Sequence, residues 1–566
     1  MRRFRRLVIV AILIGLAAWM LLPSRGVEVE QGSILVLELE GEFVEATEPS
    51  FWSRLVGAGG RPFVGMLSEL SKAQRDERLA AVVVRIRSLP VEWGMAAELR
   101  DAIAELAAKR RTVAYLEVGA IAANREYFVA TGAPEIVVAP GATSPIMGLA
   151  AEFLFLGGLW EKIGAGVETV GKGEYKSAAE TLAGTKMSPA HREMATAILD
   201  STYAAFVDAI ASSRELTPDF VRGVIDSAPV APEELRGLGL VDRVAFLDET
   251  LAELGDGPVV KAEDYRGVDP ASVGFDPVAR FALVYGSGAV VMGERETTAR
   301  APMLASDDVS EALLDAAEDP EIAAIVFRID SPGGSTLASD IVWRAAERAK
   351  RGGKPLIASV SNVAASGGYY VLAGADEILA SPASLVGSIG VFAVRPVLGG
   401  LLDKLGIGYE SMTRGQHADI MVSTQPLSEG GRERMRAELD AIYDTFVDRV
   451  AGGRGLSREQ VDAVGRGRVW TGAQAVGEGL VDSLGGLRAA VRRAKERAGI
   501  DVDADVALVP YPTPKTLLEQ LDEAFRGATL AAAPRLPGLL RELEPLFAAW
   551  SGDEPLALPP FLVRIR

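Results

Sequence analysis

The 566-residue chain contains no cysteine, which removes thiol nucleophiles, thiolate metal sites and disulfides together. Histidine is nearly missing as well, with His191 and His417 the only two. A serine–histidine–aspartate triad therefore has few candidate parts, and hydrolytic chemistry here calls for a different base. Positive charge is in deficit: 59 Lys and Arg stand against 77 Asp and Glu, a net charge of −18. A surface that acidic repels phosphate backbones, which argues against nucleic acid as a partner.

Long apolar runs are scarce too. The one that stands out is Leu7–Leu22, uncharged throughout and preceded by Arg2, Arg3, Arg5 and Arg6. At about 1.5 Å per residue it reaches roughly 24 Å, slightly short of a ~30 Å hydrocarbon core. Trp19 suits an interfacial aromatic, and the arginines hold the N-terminus on the cytoplasmic side. A cleaved signal peptide would end in small residues with an A-x-A-like pattern, whereas this run ends in MLLPSRG. Residues 1–32 are therefore expected to be an uncleaved signal anchor contacting the bilayer through Leu7–Leu22. No later segment is expected to span again.

What is present in abundance is ordinary globular material, 49% hydrophobic and 24% charged, enough for more than one core. Its arrangement is repetitive. AAVVVRIRS ending at Ser88 matches AAIVFRIDS ending at Ser331, and Ala130–Pro140 matches Leu372–Pro382. Leu159–Gly173 matches Leu401–Gly415, RELT at Arg214 matches RGLS at Arg454, and GLVD recurs at Gly239 and Gly479. Five blocks in one order, offset by 240 to 243 positions, describe an internal duplication.

Each copy alternates strands and helices. Ile34–Leu39 and Phe281–Tyr285 read as opening strands, and Ala81–Ile86 and Ala324–Ile329 as buried, β-branched strands. Helical patterns follow at Met95–Ala108 and Ser339–Ala349, then further strands at Thr112–Leu116 and Pro355–Val360. This alternation predicts an α/β fold with largely parallel sheets. The first repeat domain is placed at 33–254 and the second at 281–507. A Gly-, Pro- and Asp-rich linker is placed at 255–280, and an extension of open role at 508–566.

Comparing the copies singles out candidate chemistry. In the second, RIDSPGGS (Arg328–Ser335) and SNVAASGGYY (Ser361–Tyr370) both follow strands and open helices. Paired glycines there are ordinary turn punctuation, and Ser366 alone fits a helix cap. Glycine N–H groups at a helix start also suit an oxyanion, with Ser366 as nucleophile. The first copy has Asn124, Arg125 and Glu126 where the second has Ser366, Gly367 and Gly368, and lacks the other glycine pair too. A purely structural serine and glycine pair would be expected in both copies. Conversely, Lys176 in EYKSAAE corresponds to Ala418 in QHADIMV. A lysine is ordinarily a solvated surface charge, but each half lacks what the other has. That pattern fits one active site built jointly by two copies.

ASGGYY, RIDSPGGS, ASLVGSIG (Ala383–Gly390) and YKSAAE resemble the signal peptide peptidase A family in its long, tandem-domain form. The resemblance runs from about Ser33 to Lys495 and includes the anchor. It implies a Clp-protease/crotonase-like fold, with Ser366 as nucleophile and Lys176 as general base. Ser388 is similar to the family's lysine-orienting serine, and Gly333, Gly334 and Gly367 would surround the oxyanion. No metal or cofactor is required. The resemblance further implies cleavage of signal peptide remnants, a ring-like homo-oligomer such as a tetramer, and a single-pass protein of the bacterial inner membrane with extracytoplasmic catalytic domains. Three other readings are an acyl-CoA enzyme of crotonase type, a broader quality-control protease and a non-catalytic scaffold. An acyl-CoA enzyme needs neither Ser366 nor a one-copy lysine, the quality-control protease would use the same dyad, and complementary retention of Ser366 and Lys176 speaks against the scaffold.

Overall fold

The computed structural model describes residues 29–45, 60–119, 123–295, 302–512 and 556–557. The arginine cluster and the run Leu7–Leu22 lie outside the described residues.

The duplication reappears as two sheets that share a parallel run of six strands in matching order, the second adding Leu385–Gly387 and the antiparallel Val469–Thr471. In the first, the strands run Arg243–Val244, Glu135–Val138, Thr112–Leu116, Leu79–Ile86, Ser33–Leu39 and Val259–Lys261. In the second, the same path reads Ser483–Leu484, Glu377–Ala380, Leu356–Ala365, Ile322–Ser331, Ala279–Ser287 and Val506–Tyr511. The central strands are apolar and buried, as strands covered by helices on both faces must be. The helices after them, Trp93–Ala107 and Thr336–Arg351, begin two to three residues before the apolar periodicity does. Ser335 explains the second start, because its hydroxyl accepts the Ala338 N–H.

Two boundaries differ from the sequence expectation. The segment 255–280, read as a linker, supplies the edge strand Val259–Lys261, paired with Ile34–Val36. Likewise the second sheet continues past residue 507, since Phe281 pairs with Leu508 and Val284 with Tyr511. A three-residue edge strand is too short for periodicity to reveal. A third difference concerns membrane spans. By length and composition, Pro189–Arg214 is long and apolar enough to cross a bilayer, the one such helix among the described residues. Half of its most apolar window is buried, and its side chains Met194, Ile198 and Phe206 lie in an apolar core to which both repeats contribute.

The repeats are joined by backbone pairing. Gly166–Lys172 of the first runs antiparallel to Val391–Val397 of the second. The helix Pro189–Arg214 also touches the second repeat, through Ser201 Oγ 2.7 Å from Thr471 Oγ1 and Gln474 Nε2 donating to Ala197 O. Between the two sheets, the fully buried Arg328 guanidinium is clasped by Glu45 and Glu98 of the first repeat and donates to Ser359 Oγ at 2.9 Å. At the corresponding position in the first copy, Arg85 pairs with Glu38 and Glu117 near the surface.

Candidate active site

Ser366 sits where the strand Leu356–Ala365 turns sharply into the helix Gly367–Leu372. Its backbone has φ 57° and ψ −119°, a conformation that costs an L-residue of order 1–3 kcal/mol and persists only when its surroundings enforce it. Those surroundings are visible. Ser366 N–H donates to Gly387 O at 2.7 Å, and Ser366 O accepts from Tyr369 and Tyr370 N–H. The two glycines that follow cannot carry side chains: a Cβ on Gly368 would lie 2.4 Å from Ser331 O, and one on Gly367 2.6 Å from Ser339 Oγ.

Lys176 arrives from the other repeat. The strand Gly166–Lys172 carries the chain across to the second copy, and the turn after it is pinned there by Tyr175 N–H donating to Arg466 O at 3.0 Å. Lys176 is thereby 5% exposed, with Nζ 2.6 Å from Ser366 Oγ. The same Nζ donates to Ser388 O at 2.9 Å and lies 2.9 Å from Ser388 Oγ. Burial is the one cause acting on this amine, and it holds Lys176 well below the ordinary lysine value. Desolvation disfavours the ammonium, and no carboxylate enters to restore it. The arrangement can do what an exposed lysine cannot: present an uncharged amine to a hydroxyl well below the pH at which an ordinary lysine loses its proton.

The structure brings the sequence-selected residues together. Ser366, Lys176 and Ser388 meet directly, and Ser388 is itself in a left-handed conformation, φ 53°, with its N–H donating to Arg468 O. Gly333 and Gly334 border the turn at Ser366, since a Cβ on Gly367 would lie 3.0 Å from Gly334 N. Gly333 N–H donates to Ser331 Oγ at 3.2 Å, and that hydroxyl in turn donates to Gly288 O at 2.6 Å, so Ser331 clamps the loop. Gly367 opens its helix, and a first-turn N–H has no acceptor within the helix. The histidines lie in other settings: His191 is buried edge-on against Phe153, with Nδ1 3.2 Å from Glu180, and His417 precedes the turn Ala418–Met421.

The first copy's counterpart has been filled in. Asn124 is buried, donates to Gly148 O at 2.8 Å and accepts from Met147 N–H at 3.0 Å, so it ties down the loop that elsewhere carries Ser388. Sequence reasoning missed Gly387, whose carbonyl holds Ser366, and Gly467. A Cβ on Gly467 would lie 2.5 to 2.7 Å from the backbone and Cβ of Lys176. Gly467 stands in RGRVW, a stretch with no signal beyond turn punctuation.

Comparison with known proteins shows the family of the chain. The profile of peptidase family S49 matches twice, over residues 104–261 and 348–501. The chain is 30% identical over 528 residues to the chloroplastic serine protease SPPA of Arabidopsis thaliana, covering 91% of this chain and 76% of that protein. It is 28% identical to Protease 4 of Salmonella typhi, covering 92% and 87% respectively. Among solved structures, ClpP1 from Listeria monocytogenes matches 36% of this chain and 91% of its own, at 17% identity and a TM-score of 0.22. Matched by that profile in both of its repeats and by relatives along most of its length, the chain belongs to peptidase family S49 and is a serine peptidase.

Proposed function

We propose that the chain is a membrane-anchored endopeptidase that degrades cleaved signal peptides and similar apolar peptides through a Ser366–Lys176 dyad. The observation that carries this reading is the 2.6 Å approach of a buried, carboxylate-free lysine to a serine in the other repeat. Uncharged Lys176 takes the Ser366 proton as Oγ attacks the scissile carbonyl, and Ser388 holds the amine in line. N–H groups among Gly333, Gly334 and Gly367 stabilise the oxyanion, and Gly333 exchanges its bond to Ser331 Oγ for it. The lysine returns its proton to the leaving amine, and water then hydrolyses the acyl-enzyme by the same path.

The anchor Leu7–Leu22 and the four arginines before it support a single-pass orientation with the catalytic repeats outside the cytoplasm. Quasi-symmetry supports a homo-oligomer. Gly408–Arg414, the counterpart of Gly166–Lys172, is exposed along its length and has no strand partner among the described residues. Leu149–Phe155 is the counterpart of the strand that Gly166–Lys172 pairs with, and Met412 and Leu154 stand 90% and 44% exposed. Pairing Gly408–Arg414 of one copy with Leu149–Phe155 of the next repeats between chains the contact already made within one, and repeated head to tail it closes a ring.

The test is hydrolysis of a fluorogenic signal-peptide sequence by the full chain in detergent, beside Ser366→Ala and Lys176→Ala. Both variants are expected to lose activity by about 10⁴-fold or more with unchanged melting curves. Turnover surviving in either variant refutes the dyad.

A further inference from the structure

The strand that leads to Ser366 is interrupted just before it. Ile322–Ser331 and Leu356–Ala365 pair regularly as far as Ile329 beside Val360, and again at Ser331 beside Ala364. Between those pairs one residue, Asp330, stands opposite three, Ser361–Val363, so the strand carries a bulge. The bulge redirects it. Ile357–Val360 lie beside Glu377–Ala380, whereas Val363–Ala365 lie beside Leu385–Gly387. That second neighbour leads to Gly387 O, which accepts the Ser366 N–H, and on to Ser388.

A bulge takes backbone groups out of the ladder, and buried ones must find other partners. Here side chains supply them. Asp330 Oδ1 accepts the Val363 N–H at 3.1 Å, and Oδ2 accepts from Asn362 Nδ2 at 3.0 Å. Asn362 Oδ1 in turn accepts the Met95 N–H at 3.0 Å. Met95 lies in the first turn of Trp93–Ala107 in the other repeat, where an N–H has no acceptor within its own helix. The repeats are in close contact there, since a Cβ on Gly94 would lie 2.9 Å from Asn362 Cα. Asp330 is also held by its backbone, its carbonyl accepting the Gly288 N–H at 2.9 Å, and the chain runs on from it into Ser331–Gly334. The pair occurs only in the copy that has the serine. By the alignment of the repeats, Asp330 corresponds to Arg87, which pairs with Glu40 and Glu117, and Asn362 corresponds to Ala120.

We infer that Asp330 and Asn362 are positioning residues of the peptidase, holding the bulge before Ser366 in one shape and tying it to the first repeat. This rests on the Ser366–Lys176 reading above. Neither side chain touches the reacting atoms. Contact between the repeats thus acts twice on the site: it brings in Lys176 along Gly166–Lys172, and it braces the strand that ends at Ser366. Asp330 stands between that strand and the glycine loop, so a shift of its carboxylate displaces the hydroxyl relative to both the amine and the N–H donors.

The experiment exchanges the two side chains. Asp330→Asn alone sets two amide NH2 groups against each other, and turning Asn362 over to relieve this strands the Met95 N–H. The double variant Asp330→Asn/Asn362→Asp rebuilds every bond with one donor reversed. The new amide keeps an oxygen for the Val363 N–H and donates to the new carboxylate, whose other oxygen accepts from Met95. Hydrolysis of the fluorogenic signal peptide by the full chain in detergent is measured well below each variant's melting transition. Asp330→Asn is expected to lower kcat about 10²-fold, as a misplacement of ~1 Å does, with KM within about twofold. The exchange is expected to bring kcat back to within about fivefold of wild type, because the two sites act as one. Asn362→Ala spares the Val363 bond and cuts the tie to Met95; it should lower kcat by at least about fivefold with KM unchanged, and serves if Asp330→Asn does not fold. Single variants that keep wild-type kcat, with turnover still abolished by Ser366→Ala, overturn the inference and leave the dyad standing. An exchange that leaves kcat at the level of Asp330→Asn overturns it too, whether or not the melting temperature recovers. Turnover that survives Ser366→Ala removes the dyad, and the inference with it.

Discussion

Replacing Lys176 by methionine removes one ionisable group from the centre of the molecule and keeps an unbranched side chain of similar reach. In the folded chain, burial holds this amine well below the ordinary lysine value with no carboxylate to offset it. In the unfolded chain the same lysine titrates near ~10.4. As pH falls below that point the unfolded state takes up a proton that the folded state refuses. Lys176 therefore costs stability, by about 1.4 kcal/mol for each pH unit between ~10.4 and the folded value, and by a constant amount below it. Methionine carries no such penalty. It does strand Ser388 O, which accepts from Nζ in the wild type, a pH-independent loss of about 1–3 kcal/mol. Urea unfolding of both chains from pH 7 to 10 separates the two contributions. Relative to wild type, the variant is expected to gain about 1.4 kcal/mol per unit as pH is lowered through the window. Parallel stability curves refute the buried neutral amine. Activity gives a matching readout: kcat/KM of the wild type should rise through a single deprotonation and level off well below pH ~10.4. A rise that continues to the value of a free lysine refutes the same point.

Gly467→Ala places a methyl group against the Lys176 backbone at a residue with φ +84°; displacing the amine by even about 1 Å should lower kcat about 10²-fold with KM little changed, measured by peptide hydrolysis. Arg328→Met leaves Glu45 and Glu98 buried without their shared cation, and should destabilise the chain by about 3–5 kcal/mol in urea unfolding. Glu410→Pro breaks the exposed segment Gly408–Arg414 without touching Lys176 or Ser366, and on the proposed pairing between copies it should shift the protein toward monomer in analytical ultracentrifugation.

The architecture was legible because the sequence contains its own comparison. One copy served as the control for the other, so a serine kept on one side and a lysine kept on the other stood out against a shared framework. Neither residue is informative singly: Ser366 passes for a cap and Lys176 for a surface charge. What escaped were features set by distant pairing. Val259–Lys261 is a strand only because Ile34–Val36 lies beside it, and its Gly-, Pro- and Asp-rich surroundings read as linker. Gly467 matters only because Lys176 packs on it across the repeat interface. Arg328 did carry a signal, a charge within an apolar strand, but the equivalent Arg85 sits near the surface with other partners, and local sequence does not distinguish the two.

A site divided between two repeats also sets an order in time. Lys176 and Ser366 are 190 positions apart, so at about 5–20 residues per second the ribosome adds the proposed nucleophile roughly 10–40 s after the proposed base. The first repeat can complete its own sheet during that interval with no hydrolytic capacity, because its own position for a serine is taken by Asn124. On the proposed dyad, hydrolysis begins only when Gly166–Lys172 has found Val391–Val397, which means the second repeat has been made and has docked. On the proposed dyad, the nascent chain is in this way spared by its own product until synthesis of both halves is over.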